Sequence, residues 1–183
     1  MATNLQHIKT LDFNSSPTSA SLIIDECFNE NYDTYFVNIT KVDGNLAGYY
    51  LGIRFLDSTG TEISANEYDF AGLQMTSNAV YAEVRTTNTT FINYIGFSGS
   101  GGLDVDQYDN GTSMYIYNPY DSSSYTFVQA QSSGVSNTPV LYGFKTIGVH
   151  KSAETIRGFR ILGHSAFYGI KISVYGVKWW VVA

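Results

Sequence analysis

The sequence is short of cysteine, of proline and of charged residues. Its 183 residues include one cysteine and three prolines, and only 14% are charged, against about 25% in an ordinary soluble domain. The single cysteine, Cys27, excludes an internal disulfide framework and a zinc site built from several thiolates. Ile24 and Phe28 lie close to it in the sequence, and its acidic neighbours oppose thiolate formation, so we interpret Cys27 as a packed core thiol.

Basic residues and long apolar runs are also scarce. The net charge is −6, which argues against a general nucleic-acid binder because such proteins neutralise phosphates with a basic surface. No apolar run approaches the roughly 20 residues of a membrane-spanning helix. The amino-terminal residues lack the basic and then apolar pattern of a secretory signal, so we expect a protein that is used without ordinary export.

The few charges are unevenly distributed along the chain. Residues 139–183 hold six of the ten basic side chains but only one of the 16 acidic ones, Glu154. One interpretation is that basic carboxyl-terminal strands pair with acidic strands inside the fold. The other is an assembly face, on which the basic part of one subunit meets the acidic part of a neighbour or of another protein.

Alternation of apolar and polar residues predicts strands along almost the whole chain. In one segment Tyr35, Val37 and Ile39 share a face. The alternation recurs towards the carboxyl end, where it predicts that Ile170, Ile172 and Val174 face inward. Turn sequences rich in Gly, Asn and Asp separate the segments. The predicted strands are Ser19–Ile24, Tyr32–Val42, Tyr49–Leu56, Tyr68–Met75, Ala79–Thr86, Thr90–Phe97, Ser113–Tyr117, Tyr125–Gln131, Val140–Val149, Thr155–Leu162 and Gly169–Val177.

About ten such strands without helical periodicity predict an all-β fold, a jelly-roll-like antiparallel sandwich of two sheets. The three prolines fall between the predicted strands, as strand pairing requires. No linker or internal repeat divides the chain, so we predict a single domain over residues 1–183. The apolar end, Trp179–Ala183, is predicted to be a contact tail.

Sequence motifs for metal binding and catalysis are weak. Asp104, Asp106 and Asp109 have a fragment of calcium-ligand spacing, but Tyr108 and Tyr115 stand where an EF-hand loop needs oxygen ligands. The histidines are isolated from one another, so a zinc site would require the fold to bring them together. No nucleophile elbow or phosphate-binding loop is present. We therefore predict no enzymatic activity, no cofactor and no metal, with the three aspartates as weak metal candidates only.

Tyrosine is the more informative residue, with 15 copies in the chain. Tyr115 and Tyr117 alternate with Met114 and Ile116, so two phenols face outward if the aliphatic face is core. Such a surface can stack on sugars or fill a partner's pocket. The alternative is that the tyrosines only cover one face of a sandwich. The predicted ligand-binding residues are Tyr115, Tyr117, Tyr120, Asp121 and Tyr125.

The carboxyl-terminal residues 156–177, IRGFRILGHSAFYGIKISVYGV, read as a strand, a short polar turn and a final strand that ends in an aromatic–Gly–aliphatic step. A similar pattern is present upstream in Asn31–Thr40, Leu51–Gly60 and Tyr68–Gly72. Across Asp12–Lys178 the chain resembles the small β-rich virion proteins of tailed bacteriophages, notably of marine cyanophages. It departs from them by continuing through its last five residues.

The resemblance implies a virion β-sandwich, often trimeric, of the tail-fibre or capsid-decoration kind, and it transfers no catalytic residue. We expect a trimeric tail-fibre or receptor-binding module that contacts host-surface glycans through its tyrosines. One alternative is a capsid (head) decoration protein, and another is a free carbohydrate-binding module. A capsule-cleaving enzyme would need a carboxylate groove, which the sequence does not show.

The expected partners are further copies of the chain, as a homotrimer, and other virion proteins, with host-surface glycan as the ligand. Neither nucleic acid nor membrane insertion is expected. The expected location is the virion, after synthesis in the host cytoplasm. The residues assigned to assembly are Arg157, Arg160, Trp179 and Trp180.

Overall fold

Strands form the regular structure of this protein. The computed structural model describes residues 4–14, 19–44, 47–78, 81–100, 110–135, 140–164 and 166–178. Within these ranges lie twelve β-strands and no helix, so the described part of the chain contains no helix long and apolar enough to cross a membrane. The prediction of an all-β fold is confirmed.

The strands follow one another with short connections. The first six are β1 (Leu5–Asn14), β2 (Ser21–Ile24), β3 (Thr34–Gly44), β4 (Ala47–Leu56), β5 (Tyr68–Thr76) and β6 (Tyr81–Thr89). The last six are β7 (Ile92–Ser100), β8 (Asn110–Tyr117), β9 (Thr126–Val135), β10 (Leu141–His150), β11 (Gly158–Leu162) and β12 (Phe167–Val177). Each of the eleven segments predicted from alternation corresponds to one of β2–β12.

Two antiparallel sheets form a sandwich. The larger sheet has the order β1-β12-β3-β8-β9-β10-β5-β6, and the smaller has the order β2-β11-β4-β7. Four pairings are nested along the chain: β1 with β12, β2 with β11, β3 with β8 and β4 with β7. Because successive nested pairs alternate between the two sheets, the chain is wrapped as the double Greek key of a jelly roll. The predicted jelly-roll-like sandwich is therefore confirmed.

Two inserted hairpins widen the larger sheet. β5 and β6 come between β4 and β7 in the chain, and β9 and β10 come between β8 and β11. β10 pairs with β9 on one side and with β5 on the other. Both hairpins therefore extend the same sheet beyond β8. The outer face of the larger sheet is consequently twice as many strands wide as the smaller sheet that covers its inner face.

The core lies between the sheets and is built from the inward faces of alternating strands. The inward residues predicted for β3 and β12 are confirmed, and the buried set includes Tyr35, Val37, Ile39, Ile170, Ile172 and Val174. Cys27 is fully buried, and this burial raises the pKa of its thiol well above the usual range. Its interpretation as a core thiol is confirmed.

One strand, β1, is absent from the sequence prediction. Its pairing with β12 shifts register between His7 and Lys9, which is a β-bulge that interrupts the alternation of faces. Ile8, Leu11 and Phe13 all pack against the core, so the first two inward side chains are three positions apart rather than two. A search for strict alternation misses this strand for that reason.

Gly148 of β10 is a point of close approach between the two sheets. A Cβ atom at this position would lie 2.7 Å from Ile92 Cδ1 of β7. We expect Gly148→Ala to lower the free energy of unfolding by about 1–3 kcal/mol, because overpacking forces core side chains off their rotamers. Urea titration followed by fluorescence measures the change.

The matched control is Gly111→Ala on the outer face of β8. The nearest neighbour of a Cβ added there would be Ile39 O, at the ordinary van der Waals distance of 3.9 Å. This substitution should leave stability unchanged or raise it slightly, because alanine loses less backbone entropy on folding than glycine. Equal destabilisation by both substitutions would contradict the close approach at Gly148.

Candidate functional site: an aromatic face on the larger sheet

β8 presents its aromatic side chains to solvent. Met114 and Ile116 are fully buried, whereas Tyr115 is 41% exposed and Tyr117 is partly exposed. The two tyrosine rings are 6.3 Å apart and inclined by 18°. Both phenols therefore face outward, as the alternation in β8 predicts. Their role as ligand-binding residues stays a prediction.

Tyr115 belongs to a row of rings that crosses four strands. His7 of β1 is directly opposite Tyr175 of β12. Tyr175 is opposite Phe36 of β3, which is opposite Tyr115. Successive ring centroids along this row are 5.5, 6.1 and 5.3 Å apart, inside the range of about 4.5–7 Å for interacting aromatic pairs. We call His7, Tyr175, Phe36, Tyr115 and Tyr117 the aromatic row.

Apolar side chains continue the outer face beyond the aromatic row. Phe127 of β9 is opposite Tyr117 and is 44% exposed. Ile147 of β10 is opposite Gln129 and is 59% exposed. Gln129 is itself opposite Tyr115, and its Oε1 accepts a hydrogen bond from the Tyr117 hydroxyl at 3.3 Å. The face thus combines rings and aliphatic groups with an uncharged polar side chain.

The other predicted ligand residues lie in residues 118–125, which connect β8 to β9. Tyr120 and Tyr125 are exposed. They lie near the end of β8, whose last residue is Tyr117. The structure therefore brings Tyr115 and Tyr117 into ring contact on the sheet and places Tyr120 and Tyr125 in the adjoining loop.

Backbone hydrogen bonds anchor this loop at its start. The Asn118 N–H donates to Asp33 O at 2.7 Å, which ties the loop to the segment before β3. The Ile156 N–H donates to Pro119 O, also at 2.7 Å. The loop is thereby held from both sides, by the entry to β3 and by the segment that leads to β11.

The Asp121 carboxylate is engaged within the same loop. Its Oδ1 accepts hydrogen bonds from the Ser123 backbone N–H at 2.8 Å and from the Ser123 hydroxyl at 2.7 Å. The hydroxyl bond, supported by the backbone bond, lowers the pKa of Asp121. The side chain is therefore a carboxylate at neutral pH, with one oxygen committed to the turn.

The basic side chains near the carboxyl end pair with acidic side chains from earlier in the chain. Arg157 donates two hydrogen bonds of 2.8 Å to Asp25 and one of 2.9 Å to Glu26, and Arg160 donates to Glu62. Two further ion pairs of the same kind are Lys151–Asp69 and Lys171–Asp12. For these side chains, the interpretation that the basic carboxyl-terminal part pairs with acidic residues of the same chain is confirmed. The assembly role of Arg157 and Arg160 stays a prediction.

Five residues singled out from the sequence lie outside the described part of the chain, and their roles stay predictions. They are the weak metal candidates Asp104, Asp106 and Asp109 and the assembly candidates Trp179 and Trp180.

A different group of side chains with metal-ligand chemistry does come together. His150 ends β10, Glu67 immediately precedes β5, and Glu154 lies in the segment before β11. His150 Nε2 is 3.3 Å from Glu67 Oε2 and 3.7 Å from Glu154 Oε1. Sequence analysis missed this group because the proximity of Glu67 depends on the pairing of β5 with β10. The four-residue spacing of His150 and Glu154 was the only signal along the chain.

Sequence analysis also missed Phe36, Tyr175 and Phe127 as members of a common surface. The outward position of Phe36 follows from its place between the inward residues Tyr35 and Val37. Its proximity to Tyr115 does not follow, because that depends on the pairing of β3 with β8.

A scan against protein-family models finds no match to the chain, and a search of curated proteins finds none either.

Contact between Phe36 and Tyr115 can be tested by a double-mutant cycle with Phe36→Ala and Tyr115→Ala. We expect a coupling energy of about 0.5–1 kcal/mol in unfolding experiments, because directly opposed rings on one sheet face stabilise each other. The control cycle combines Tyr115→Ala with Tyr81→Ala, which is on β6, four strands from β8. That pair should be additive. Additivity in both cycles would mean that the rings of the aromatic row do not touch in solution.

Proposed function

We propose that this protein is a binding module of a tailed-phage particle and that it binds host-surface glycans with the aromatic row. The aromatic row is the observation that carries the proposal. A pyranose ring has an apolar C–H face that packs on aromatic rings, and its hydroxyl groups need donors and acceptors beside them. A row of mutually packed rings, of which His7 and Tyr115 are exposed and the others are partly exposed, meets the first of these requirements.

Uncharged polar side chains beside the aromatic row offer the second requirement. A second row lies two positions along the strands from Phe36 and Tyr115. In this row Asn38 of β3 is opposite Ser113 of β8, and Ser113 is opposite Gln131 of β9. Ser113 and Gln131 are exposed and Asn38 is partly exposed. Amides and hydroxyls both donate and accept hydrogen bonds, so this neighbouring row suits a neutral, hydroxyl-rich ligand.

The rigidity of the surface favours binding. Ring contacts hold Phe36 between Tyr115 and Tyr175, and the three strands that carry these rings are anchored by buried side chains on their inward faces. Side chains that are ordered before the ligand arrives lose little entropy on binding. A glycan would therefore meet a surface already in its binding geometry.

The fold is compatible with this proposal without deciding it. Jelly rolls recur in viral capsid proteins and in lectin domains, but one fold hosts many functions. The particle context rests on the resemblance of residues 12–178 to phage virion proteins. In that context the chain associates with further copies of itself and with other virion proteins, and Trp179 and Trp180 provide contacts for this assembly.

A second candidate function, capsid decoration, is favoured by the exposed aliphatic side chains on the inserted hairpins. Ile147 is 59% exposed and Leu73 is 38% exposed, and the two lie on neighbouring strands, β10 and β5. Leu73 is opposite Lys145, two residues along β10 from Ile147, so the two aliphatic side chains are diagonal neighbours on the outer face. Exposed apolar patches are typical of protein–protein contacts. In this function the outer face would be covered by a capsid subunit rather than by a sugar.

Removal of both tyrosine rings of β8 tests the glycan proposal. We expect the double variant Tyr115→Ala, Tyr117→Ala to weaken binding on a host-glycan array about tenfold or more, because each ring contact is worth about 0.5–1.5 kcal/mol. The matched control is Tyr81→Ala, which removes a 72% exposed tyrosine from β6 and should leave binding unchanged. Equal binding by the double variant and the control would overturn the ligand assignment.

Copy number separates the two candidate functions. Quantitative mass spectrometry of purified particles, measured against the major capsid protein, should find a few to a few dozen copies for a tail or vertex protein. Hundreds of copies would instead support capsid decoration, and absence from the particle would overturn the virion assignment.

A further inference from the structure

Three side chains from separate parts of the chain converge at one end of the larger sheet. His150, the last residue of β10, is directly opposite Tyr68, the first residue of β5. Glu67 therefore lies beside His150 as a consequence of strand pairing, and Glu154 follows four residues after it. One ligand atom of each of the three side chains lies within 4.8 Å of those of the others.

The two distances from His150 are close to those between neighbouring ligand atoms of a metal ion. The Nε2 atom of His150 is 3.3 Å from Glu67 Oε2 and 3.7 Å from Glu154 Oε1. Bonds of about 2.0–2.2 Å to a tetrahedral metal place neighbouring ligand atoms roughly 3.3–3.6 Å apart. Small rotations of the two glutamates would bring all three atoms onto one ion.

The charges around the group favour a cation. Two carboxylates point at one imidazole, and among the described residues neither the Glu67 nor the Glu154 carboxylate has a lysine or arginine side-chain nitrogen within 4.0 Å. Lys151, the adjacent basic residue, pairs instead with Asp69 at 2.8 Å and donates to Asn88 Oδ1 at 2.7 Å. The negative charge of the two glutamates is therefore not offset by a basic side chain.

The His150 imidazole is buried among aromatic rings. The His150 side chain has no exposed surface, and its ring lies 4.8 Å from that of Tyr68 and 6.0 Å from that of Phe55.

Ligation of an ion at Nε2 of His150 would place the proton of the imidazole on Nδ1. Nδ1 has no hydrogen-bond partner among the described residues, and neither does the buried Thr126 hydroxyl. Thr126 of β9 is directly opposite His150. The two groups lie on neighbouring strands but do not hydrogen-bond each other, so the oxygen acceptor that a metal-bound histidine usually has at this nitrogen is not in place.

We propose that Glu67, His150 and Glu154 form a binding site for a divalent transition-metal ion, with Zn²⁺ as the best match. Imidazole nitrogen together with carboxylate oxygen is a zinc donor set, whereas calcium and magnesium take oxygen ligands. The glutamate side chains are 40% and 33% exposed, so solvent reaches the site and water can complete the coordination. This proposal does not depend on glycan binding.

The test is titration of Zn²⁺ into the chelator-treated full chain by isothermal calorimetry. We expect one zinc ion to bind and the thermal unfolding midpoint to rise with zinc concentration. Glu154→Gln and Glu67→Gln should each weaken zinc binding by more than ~100-fold, because loss of an outer-shell partner alone already costs about 10–100-fold. Both glutamates are solvent-accessible, so each variant should unfold at the wild-type midpoint when zinc is absent.

The matched control is Glu83→Gln, which removes an exposed glutamate from β6 and should leave zinc affinity unchanged. With Co²⁺ as a probe, the wild type and the control should show the visible absorption of a nitrogen- and oxygen-ligated ion, and the two glutamine variants should lose it. The proposal is overturned if the wild type binds no zinc, or if zinc binds Glu154→Gln as tightly as the control.

Discussion

The register of β3 is the constraint on which the rest of the molecule depends. Tyr35, Val37 and Ile39 are fully buried on its inward face, and burial of each such side chain is worth roughly 1.5–3 kcal/mol. A slip by one residue would expose all three and turn Phe36 into the core. The core therefore fixes the register, and the same register aligns Phe36 with its aromatic neighbours on β12 and β8. The proposed glycan surface is a consequence of core packing.

The smaller sheet packs closely against the inserted hairpins where β7 meets β10. β7 is an irregular strand at this contact. Its pairing with β4 shifts register, and Tyr94 adopts a φ of 60°, a conformation that bulky residues seldom take. The irregularity leaves the Tyr94 carbonyl free to accept a hydrogen bond from the buried Thr146 hydroxyl at 2.7 Å. Gly148, on the same inward face of β10, admits the Ile92 side chain.

Sequence patterns predicted what depends on neighbours along the chain and failed where contacts join distant segments. The inward residues of β3 and β12, the outward phenols of β8 and the core position of Cys27 follow from alternation or from local sequence. β1 escaped prediction because its bulge disrupts that alternation. The aromatic row and the group around His150 escaped because strand pairing creates them, and pairing between distant strands leaves no periodic mark on either strand.

Residues 151–157 connect the proposed metal site to the loop that carries Tyr120. Residues 151–157 carry Glu154, and the Ile156 N–H in this segment donates to Pro119 O at the start of the loop. Arg157 holds the other end of the segment through its paired hydrogen bonds to Asp25. A metal ion bound by Glu67, His150 and Glu154 would fix the segment to the ends of β5 and β10, and through Pro119 would restrict the loop beside Tyr117. Metal binding would thus stiffen one margin of the aromatic face without contacting a ligand there.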